Sequence, residues 1–288
     1  MEKPLFIIIP VYNRKEFTKN CLLSLRSQTV QNFTVVVVDD GSTDGTSELL
    51  KAEFPEVVVL HGDGDLWWSA STNLGVNFAL QHNAEYIMTL NDDTIATENY
   101  IEKMFFWVKQ KPNALLGAFA VDAVSKKPIY GGEKINWFNA GKTLLLDQVD
   151  SGKQFGLHSV SHFPGRGLLI PAKVFSVIGM FDDKHFPQSL ADFDFTHRAV
   201  KLGFEIFCNF DAKLLIYPQE SGDAKLRQKK SWKKYYNHLF GMKGGGNLKR
   251  FFFYAVRNSP IYFLPFFLFF GIVRRVFGYL FDWVQELE

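Results

Sequence analysis

Apolar and polar positions fall in blocks along this chain. Leu5 to Ile9 is a short apolar run closed by Pro10, the pattern of a strand buried on both faces. Phe17, Cys21, Leu22 and Leu25 then recur at helical spacing. Val35-Val36-Val37-Val38 predicts a second buried strand, and a short helix follows from near Ser47 to Glu53. Val57 to Leu60 predicts a third strand, Ser69 to Gln81 a helix and Tyr86 to Leu90 a fourth strand. Ile101 to Val108 predicts a helix stopped before Pro112, and Ala114 to Val121 a fifth strand. Such alternation predicts a three-layer α/β architecture with a mostly parallel, Rossmann-like central sheet and flanking helices.

From about Asp122 to His162 the pattern breaks into short strands and loops around Gly131-Gly132, Lys142 to Leu146 and Gly152. Leu168 to Ile170 is a further strand, and Lys173 to Ile178 a short helix ended by Gly179. Leu190 to Leu202 predicts a helix ended by Gly203, and Glu205 to Phe207 and Lys213 to Tyr217 two late strands.

The tail differs in kind. Lys225 to Lys234 carries many positive charges around Trp232. That is either a solvated helix face or a contact for a phosphate or an anionic membrane surface. Phe251 to Tyr254 and Ile261 to Val273 are densely apolar, and Arg274-Arg275 follow. The uninterrupted run is shorter than the roughly 20 residues of a spanning helix, and Pro265 interrupts it. The expectation is a helical apolar appendage lying on the bilayer through residues 251–283. A homodimer interface is the rival. Lys249, Arg250, Arg257, Arg274 and Arg275 are the cations expected to attract anionic lipid.

The 288 residues suit one large α/β domain with an appendage. A net charge of +2 gives no nucleic-acid signal, so no such partner is expected. Two cysteines, Cys21 and Cys208, make no disulfide framework. The histidines form no motif with metal spacing. Met1 to Pro4 leads straight into a strand pattern without the regions of a signal peptide, so a cytoplasmic location is expected.

Candidate chemistry sits at strand ends. Asp39-Asp40-Gly41-Ser42-Thr43-Asp44-Gly45-Thr46 follows the second strand, where open α/β sheets bind ligands. A second acidic turn, Leu90-Asn91-Asp92-Asp93-Thr94, follows the fourth. Either alone reads as a solvated turn with a helix cap. Together they point to a shared site for a metal and a diphosphate. Later come Ala191-Asp192-Phe193-Asp194. Taken alone, Asp192 reads as a helix N-cap, and Asp194 with Arg198 as an intrahelical pair. Trp67-Trp68, in a loop flanked by glycines, either packs in the core or lines a sugar pocket.

These motifs occur in order with Pro10-Val11-Tyr12-Asn13-Arg14. Over residues 4–218 the chain resembles the family 2 inverting glycosyltransferases with the GT-A fold. Trp67-Trp68 with Thr72-Asn73-Leu74-Gly75, and Gly179-Met180-Phe181-Asp182, resemble the bacterial rhamnosyltransferase-like branch. The resemblance implies a catalytic domain over 1–220, with a nucleotide-sugar half to about 121 and an acceptor half from about 122. It leaves 221–288 as a helical, membrane-associating region. Pro10, Tyr12 and Asn13, with Asp39 or Asp40, would hold base and ribose, one of the two acids facing the ligand and the other supporting the turn. Asp93 would bind Mg²⁺ or Mn²⁺, with Asp92 near the ribose or metal. Trp68 and Asn73 belong to the nucleotide-sugar site, and Arg166, Lys225 or Arg227 is the diphosphate cation. Asp192 matches the general base.

Three departures stand out. Ala191 precedes Asp192 where the family often has Glu, and Thr72 stands where it often has Arg. Tyr217-Pro218-Gln219-Glu220 lacks the frequent metal-binding His, which leaves a third metal contact unassigned. The implied partners are a dTDP- or UDP-sugar donor and a glycan or lipid-linked acceptor. The implied setting is bacterial surface polysaccharide synthesis at the inner face of the membrane. Two rivals differ in class. A nucleotidyltransferase usually has a Gly-rich basic loop after its first strand, which Pro10 to Asn13 is not. A non-catalytic sugar-nucleotide-binding protein of the same fold would have no need of Asp93 and Asp192.

Overall fold

The computed structural model describes residues 5–220 and 222–285. Met1 to Pro4, Ser221 and residues 286–288 of the expected tail region lie outside the described residues.

The first half is a parallel unit. It runs β1 (Leu5–Val11), α1 (Lys15–Arg26), β2 (Phe33–Asp39), α2 (Thr46–Glu53), β3 (Val58–His61), α3 (Trp67–Gln81) and β4 (Tyr86–Thr89). Its strands lie in the order β3-β2-β1-β4, every pairing parallel. Side-chain alternation along β1 sorts the core into two layers. Leu5, Ile7 and Ile9 pack with Cys21, Leu22 and Leu25 of α1 and Leu49 and Leu50 of α2. Phe6 and Ile8 pack with Val76 and Ala79 of α3. Gly75 lets α3 approach closely, because a Cβ there would collide with Ile8.

The second half follows with β5 (Thr94–Ala96), α4 (Tyr100–Gln110), β6 (Leu115–Asp122), β7 (Pro128–Tyr130), β8 (Glu133–Asn136), β9 (Gly141–Leu144), β10 (Leu157–Ser159), β11 (Leu168–Pro171), α5 (Ala172–Ile178), α6 (Ala191–Lys201) and β12 (Ile206–Ile216). β8 and β9 form a separate hairpin. The two late strands predicted from sequence are one strand, β12, with an irregularity between Asn209 and Lys213.

The sheet continues β4-β11-β6-β12-β10, and here it is mixed rather than mostly parallel. β11 runs antiparallel to both β4 and β6. It is entered from a loop, not from a crossover helix, so nothing imposes a parallel direction. Leu168, its first residue, pairs with Thr89 at the end of β4. The loop before β11 is thereby delivered to the edge where β1, β2 and β4 end.

Among the described residues, α7 (Gly222–Arg227), α8 (Trp232–Phe240), α9 (Leu248–Asn258) and α10 (Leu264–Gln285) follow. Phe251, Tyr254 and Ala255 of α9 and Phe267 of α10 join the core cluster beside α3 and α6. Polar contacts reinforce this. Arg257 meets Asp182 at 2.7 Å and Asp194 at 3.2 Å. Asn258 donates to Asp194 at 2.9 Å, and the Tyr254 hydroxyl lies 2.8 Å from His197 Nδ1. Asp194 also keeps the expected pair with Arg198, at 2.9 Å.

Pro265 does not interrupt the tail. It sits in the first turn of α10, where its missing N–H has no helical partner to lose. The helix is 22 residues long, about 33 Å at the usual rise. By length and composition Ile261–Val284 is able to cross a bilayer. One face, however, is laid against the domain. Phe267, Gly271 and Tyr279 are buried, a Cβ at Gly271 would strike the Phe251 ring, and the Arg275 guanidinium stands 3.6 Å over that ring. Phe266, Phe269, Phe277 and Phe281 face outward. Of the five cations expected to face lipid, Arg250, Arg257 and Arg275 turn inward, because the helix faces that carry them pack on the domain. Lys249 and Arg274 remain exposed.

Candidate active site

Because β1 lies between β2 and β4, three turns stand side by side at one sheet edge. They are Pro10 to Arg14, Asp39 to Asp44 and Asn91 to Asp93. Reversed β11 adds Phe163 to Gly167.

The first two turns bind each other. Asn13, at φ +53°, accepts the Thr43 N–H at 2.7 Å and donates its own N–H to Ser42 Oγ at 2.9 Å. Asp39 accepts the Ser42 N–H at 3.0 Å and the Ser47 hydroxyl. Asp40 accepts the Gly64 N–H at 2.9 Å through one oxygen. Its other oxygen accepts the N–H groups of Leu66 and Trp67 at 3.0 and 3.2 Å, at the start of α3. All four carboxylate oxygens are therefore engaged by the scaffold. Both acids thus support turns, Asp39 its own and Asp40 the loop before α3. The glycine-rich loop before α3 turns the N–H groups of Gly64, Leu66 and Trp67 onto Asp40, the last two at the start of the helix where no helical acceptor precedes them. A Cβ at Gly62 would overlap the Asp40 carboxylate, so the loop is moulded to that acid. Pro10 lies inside β1, paired with Val38. Tyr12 is half exposed on the turn, a ring open to stacking.

The third turn is held by Arg14. Its Nε lies 3.2 Å from Asp92 Oδ2, and its Nη2 lies 3.2 Å from Asp93 Oδ2. Burial pushes the Asp92 carboxyl up to about 7, with Arg14 pulling against it. Asp92 Oδ2 and Asp93 Oδ1 are buried without a hydrogen-bond donor. Asp92 Oδ2 has only the Arg14 charge beside it, and such a pair of carboxylate oxygens fits a hard divalent cation. Among the described residues no third His, Cys, Asp or Glu completes a metal-ligand cluster with them. Trp68 braces this turn. Its Nε1–H donates to Asn91 Oδ1 at 3.1 Å, and its ring meets Phe181 edge-on at 5.3 Å. A Cβ on Gly165 would overlap the same ring. Asn73 does not present its amide to the donor turns. Both its polar atoms clamp the Phe181 backbone, at 2.9 and 3.1 Å.

Asp192 is the second residue of α6, not its cap; the cap position is Leu190, at φ +69°. One Asp192 oxygen accepts the Gly165 N–H at 2.9 Å and the other accepts the Phe193 N–H at 2.9 Å. Burial raises its pKa, those two donors pulling the other way. Arg166 follows Gly165 in the same loop. Burial lowers its pKa, while the charges of Asp93 and Asp192 oppose that effect, so the guanidinium stands within the field of both acids. Among the described residues it forms no hydrogen bond or ion pair. The other two cations considered for a diphosphate are engaged, Lys225 with Glu220 at 2.6 Å and Arg227 with Asp282 at 2.7 Å.

Two participants escaped the sequence reading. Arg14 lay inside a recognised motif without a role. Tyr130 of β7 carries a buried hydroxyl with no partner, near enough to Asp192 and Arg166 to feel both charges. Its only signal in sequence is an aromatic before Gly131-Gly132.

Comparison with known proteins is consistent along the chain. A family model described as glycosyl transferase family 2 matches residues 6–168. The glycosyltransferase GlyG of Streptococcus pneumoniae is 32% identical over 114 residues, covering 38% of this chain and 37% of GlyG. A Rickettsia bellii glycosyltransferase is 36% identical over 235 residues, covering 76% of this chain and 31% of the relative. The matched region thus spans about a third of the length of these relatives. Among solved structures, S. aureus TarS 1–349 superposes with a TM-score of 0.59 at 12% identity, covering 98% of this chain and 91% of that one. This last likeness is one of fold.

Proposed function

This chain belongs to glycosyl transferase family 2, and on that premise we propose that it moves a sugar from a nucleoside-diphosphate sugar to an acceptor hydroxyl with inversion. The carrying observation is the convergence at one sheet edge of the Asp92 and Asp93 carboxylates, held by Arg14, an Arg166 without a partner among the described residues and a backbone-held Asp192.

Each group has a distinct task. Tyr12 stacks on the base, while Asp39, Asp40 and Asn13 keep that surface rigid. Arg166 pairs with the diphosphate, to which a guanidinium offers parallel N–H donors. Asp92 and Asp93 would hold Mg²⁺ or Mn²⁺, whose chemistry is neutralisation of charge on the leaving diphosphate. Asp192 accepts the acceptor hydroxyl's proton as its oxygen approaches the anomeric carbon. A raised pKa brings that base nearer the working pH. Trp68 and Phe181 wall the sugar side. The Trp67-Trp68 and Gly179 to Asp182 segments favour a rhamnosyltransferase-like donor, so dTDP- and UDP-sugars form the first test set.

The acceptor is a glycan or a lipid-linked glycan in bacterial surface polysaccharide synthesis. The chain works as a peripheral enzyme on the inner face of the membrane, docked through the outer face of α10. Buried Phe267, Gly271 and Tyr279 tie the inner face to the domain, which favours lying on the bilayer over crossing it.

The test is release of nucleoside diphosphate from a panel of nucleotide-sugars, with Mn²⁺ and with EDTA. Binding of a nucleotide-sugar without turnover on any glycan or lipid acceptor would favour a binding protein of the same fold. Release of pyrophosphate would favour nucleotidyl transfer.

A further inference from the structure

The β8–β9 turn leans on α10. Phe138, half exposed, packs against Phe266 with centroids 5.0 Å apart and against Phe270 at 6.0 Å. Beside these rings opens a polar cleft of about 380 Å³. Asn136, Asn139, Lys142, Thr143 and Arg274 line it.

The chemistry of the cleft is one-sided. Asn136 Oδ1 accepts the N–H groups of Phe138 and Asn139, at 3.0 and 3.2 Å. Asn139 Oδ1 accepts the Gly141 N–H at 2.8 Å. With both amide oxygens used, what these side chains have left to offer is their NH₂ donors. Arg274 donates Nε–H to the Asn139 carbonyl at 3.1 Å, which fixes the guanidinium at the cleft. Its Nη groups have no partner among the described residues. Lys142 adds a second cation, paired on one side with Glu133 at 2.8 Å. A cluster of remaining donors with positive charge suits an oxyanion. The exposed rings beside it suit the acyl boundary of a bilayer.

We propose that this cleft binds the phosphate of an anionic lipid headgroup while Phe138, Phe266 and Phe269 enter the acyl boundary. The proposal rests on the peripheral docking put forward above and adds a specific headgroup contact to it. Phe138 and Asn139 are chain neighbours and Arg274 reaches the Asn139 carbonyl, so rings and donors adjoin, as hydrocarbon and phosphate do at a membrane surface. Arg274 is then a headgroup ligand rather than a diffuse surface charge.

Flotation of the full chain with vesicles of phosphatidylcholine alone, or doped with phosphatidylglycerol, tests it. The wild-type chain floats with both and prefers the anionic vesicles. Arg274→Gln loses that preference by about tenfold or more. Lys233→Gln, which removes an exposed charge elsewhere in the tail, costs no more than the roughly fivefold expected of one surface cation. Thr143→Val removes a donor without changing charge and also weakens the preference. Equal losses in the Arg274 and Lys233 variants overturn the site and leave surface docking intact. Flotation with neither vesicle overturns docking and site together, while sugar transfer keeps its own assay. If inorganic phosphate raises Tm in wild type but not in Arg274→Gln, and no lipid preference is found, the cleft takes a free phosphate and the lipid assignment fails.

Discussion

Arg14 and Asp93 stand 3.2 Å apart at the ends of neighbouring strands, and the same guanidinium reaches Asp92. The arginine is the internal counter-charge of the acid pair. Arg14→Ala leaves the buried Asp92 and the partly buried Asp93 without it, a loss of about 1–3 kcal/mol. A divalent ion that binds the folded state restores part of that loss. The Tm deficit of Arg14→Ala is therefore expected to be larger in EDTA than in Mn²⁺. Equal deficits would show that Arg14 and the metal do not share these oxygens.

Asp93→Ala tests the metal more directly. The turn keeps its Trp68–Asn91 hydrogen bond and the fold survives. Metal-dependent transfer is lost and nucleotide-sugar binding weakens. Wild-type turnover in the variant, or undiminished native activity in EDTA, contradicts the assignment.

Asp192→Asn removes the proton acceptor at almost constant volume. Donor affinity is expected to persist while the transfer rate drops on the order of 10²- to 10⁴-fold. The pH profile carries a second signature. Burial raises the Asp192 pKa, so the rate climbs with pH through a value above the ordinary carboxylate range, then levels. The variant lacks that limb. The stability sign is opposite. A carboxyl with a raised folded pKa favours the fold when protonated, and that contribution is lost as pH rises through the folded value. Parallel loss of donor affinity and rate would make Asp192 a structural residue.

Asp182 behaves the other way. Burial pushes its carboxyl up, but the His185 N–H, Arg257 and the His185 ring outweigh this and bring it down to about 2. Its stabilising contribution is present above the ordinary pKa near 4 and is lost as pH falls from there towards 2. Arg257→Ala raises the Asp182 pKa and removes one of the ties between α9 and α6. A loss of about 1–2 kcal/mol at neutral pH is expected, with acid unfolding shifted to higher pH. Urea titrations at pH 7 and pH 3 check both, and a deficit that did not shrink in acid would dismiss the linkage.

What the sequence disclosed was what is local. Val35 to Val38 and Leu5 to Ile9 declare buried strands by composition, and the acids after Val38 and Leu90 mark one strand-end edge. Asp92 and Asp93 were legible as strand-end acids, Asp192 as an acid of a later motif and Arg166 as one of three candidate cations; their parts in transfer belong to the proposal above. Roles settled by distant partners were not. The orientation of Asp40 is set by Gly64, Leu66 and Trp67, more than twenty residues on. The direction of β11 depends on which edge it joins, which no period in Leu168 to Ile170 encodes. Arg250, Arg257 and Arg275 read as lipid-facing because the face a helix buries is chosen by its neighbour. Pro265 read as a breaker because its place in the first turn becomes known only once the helix start is.

The backward course of β11 has a further consequence. Side chains alternate along a strand, so a slip of one residue against β4 exchanges every face at once. Such a slip would exchange the neighbours Gly165 and Arg166, withdrawing an N–H from Asp192 and turning the free guanidinium away from the acids. The alignment of Leu168 with Thr89 thus acts as a vernier for the whole candidate site. Part of the setting of this site is written in plain apolar residues outside it. A family member with every acid intact but one residue inserted in β11 would look complete in sequence and be mis-set in space.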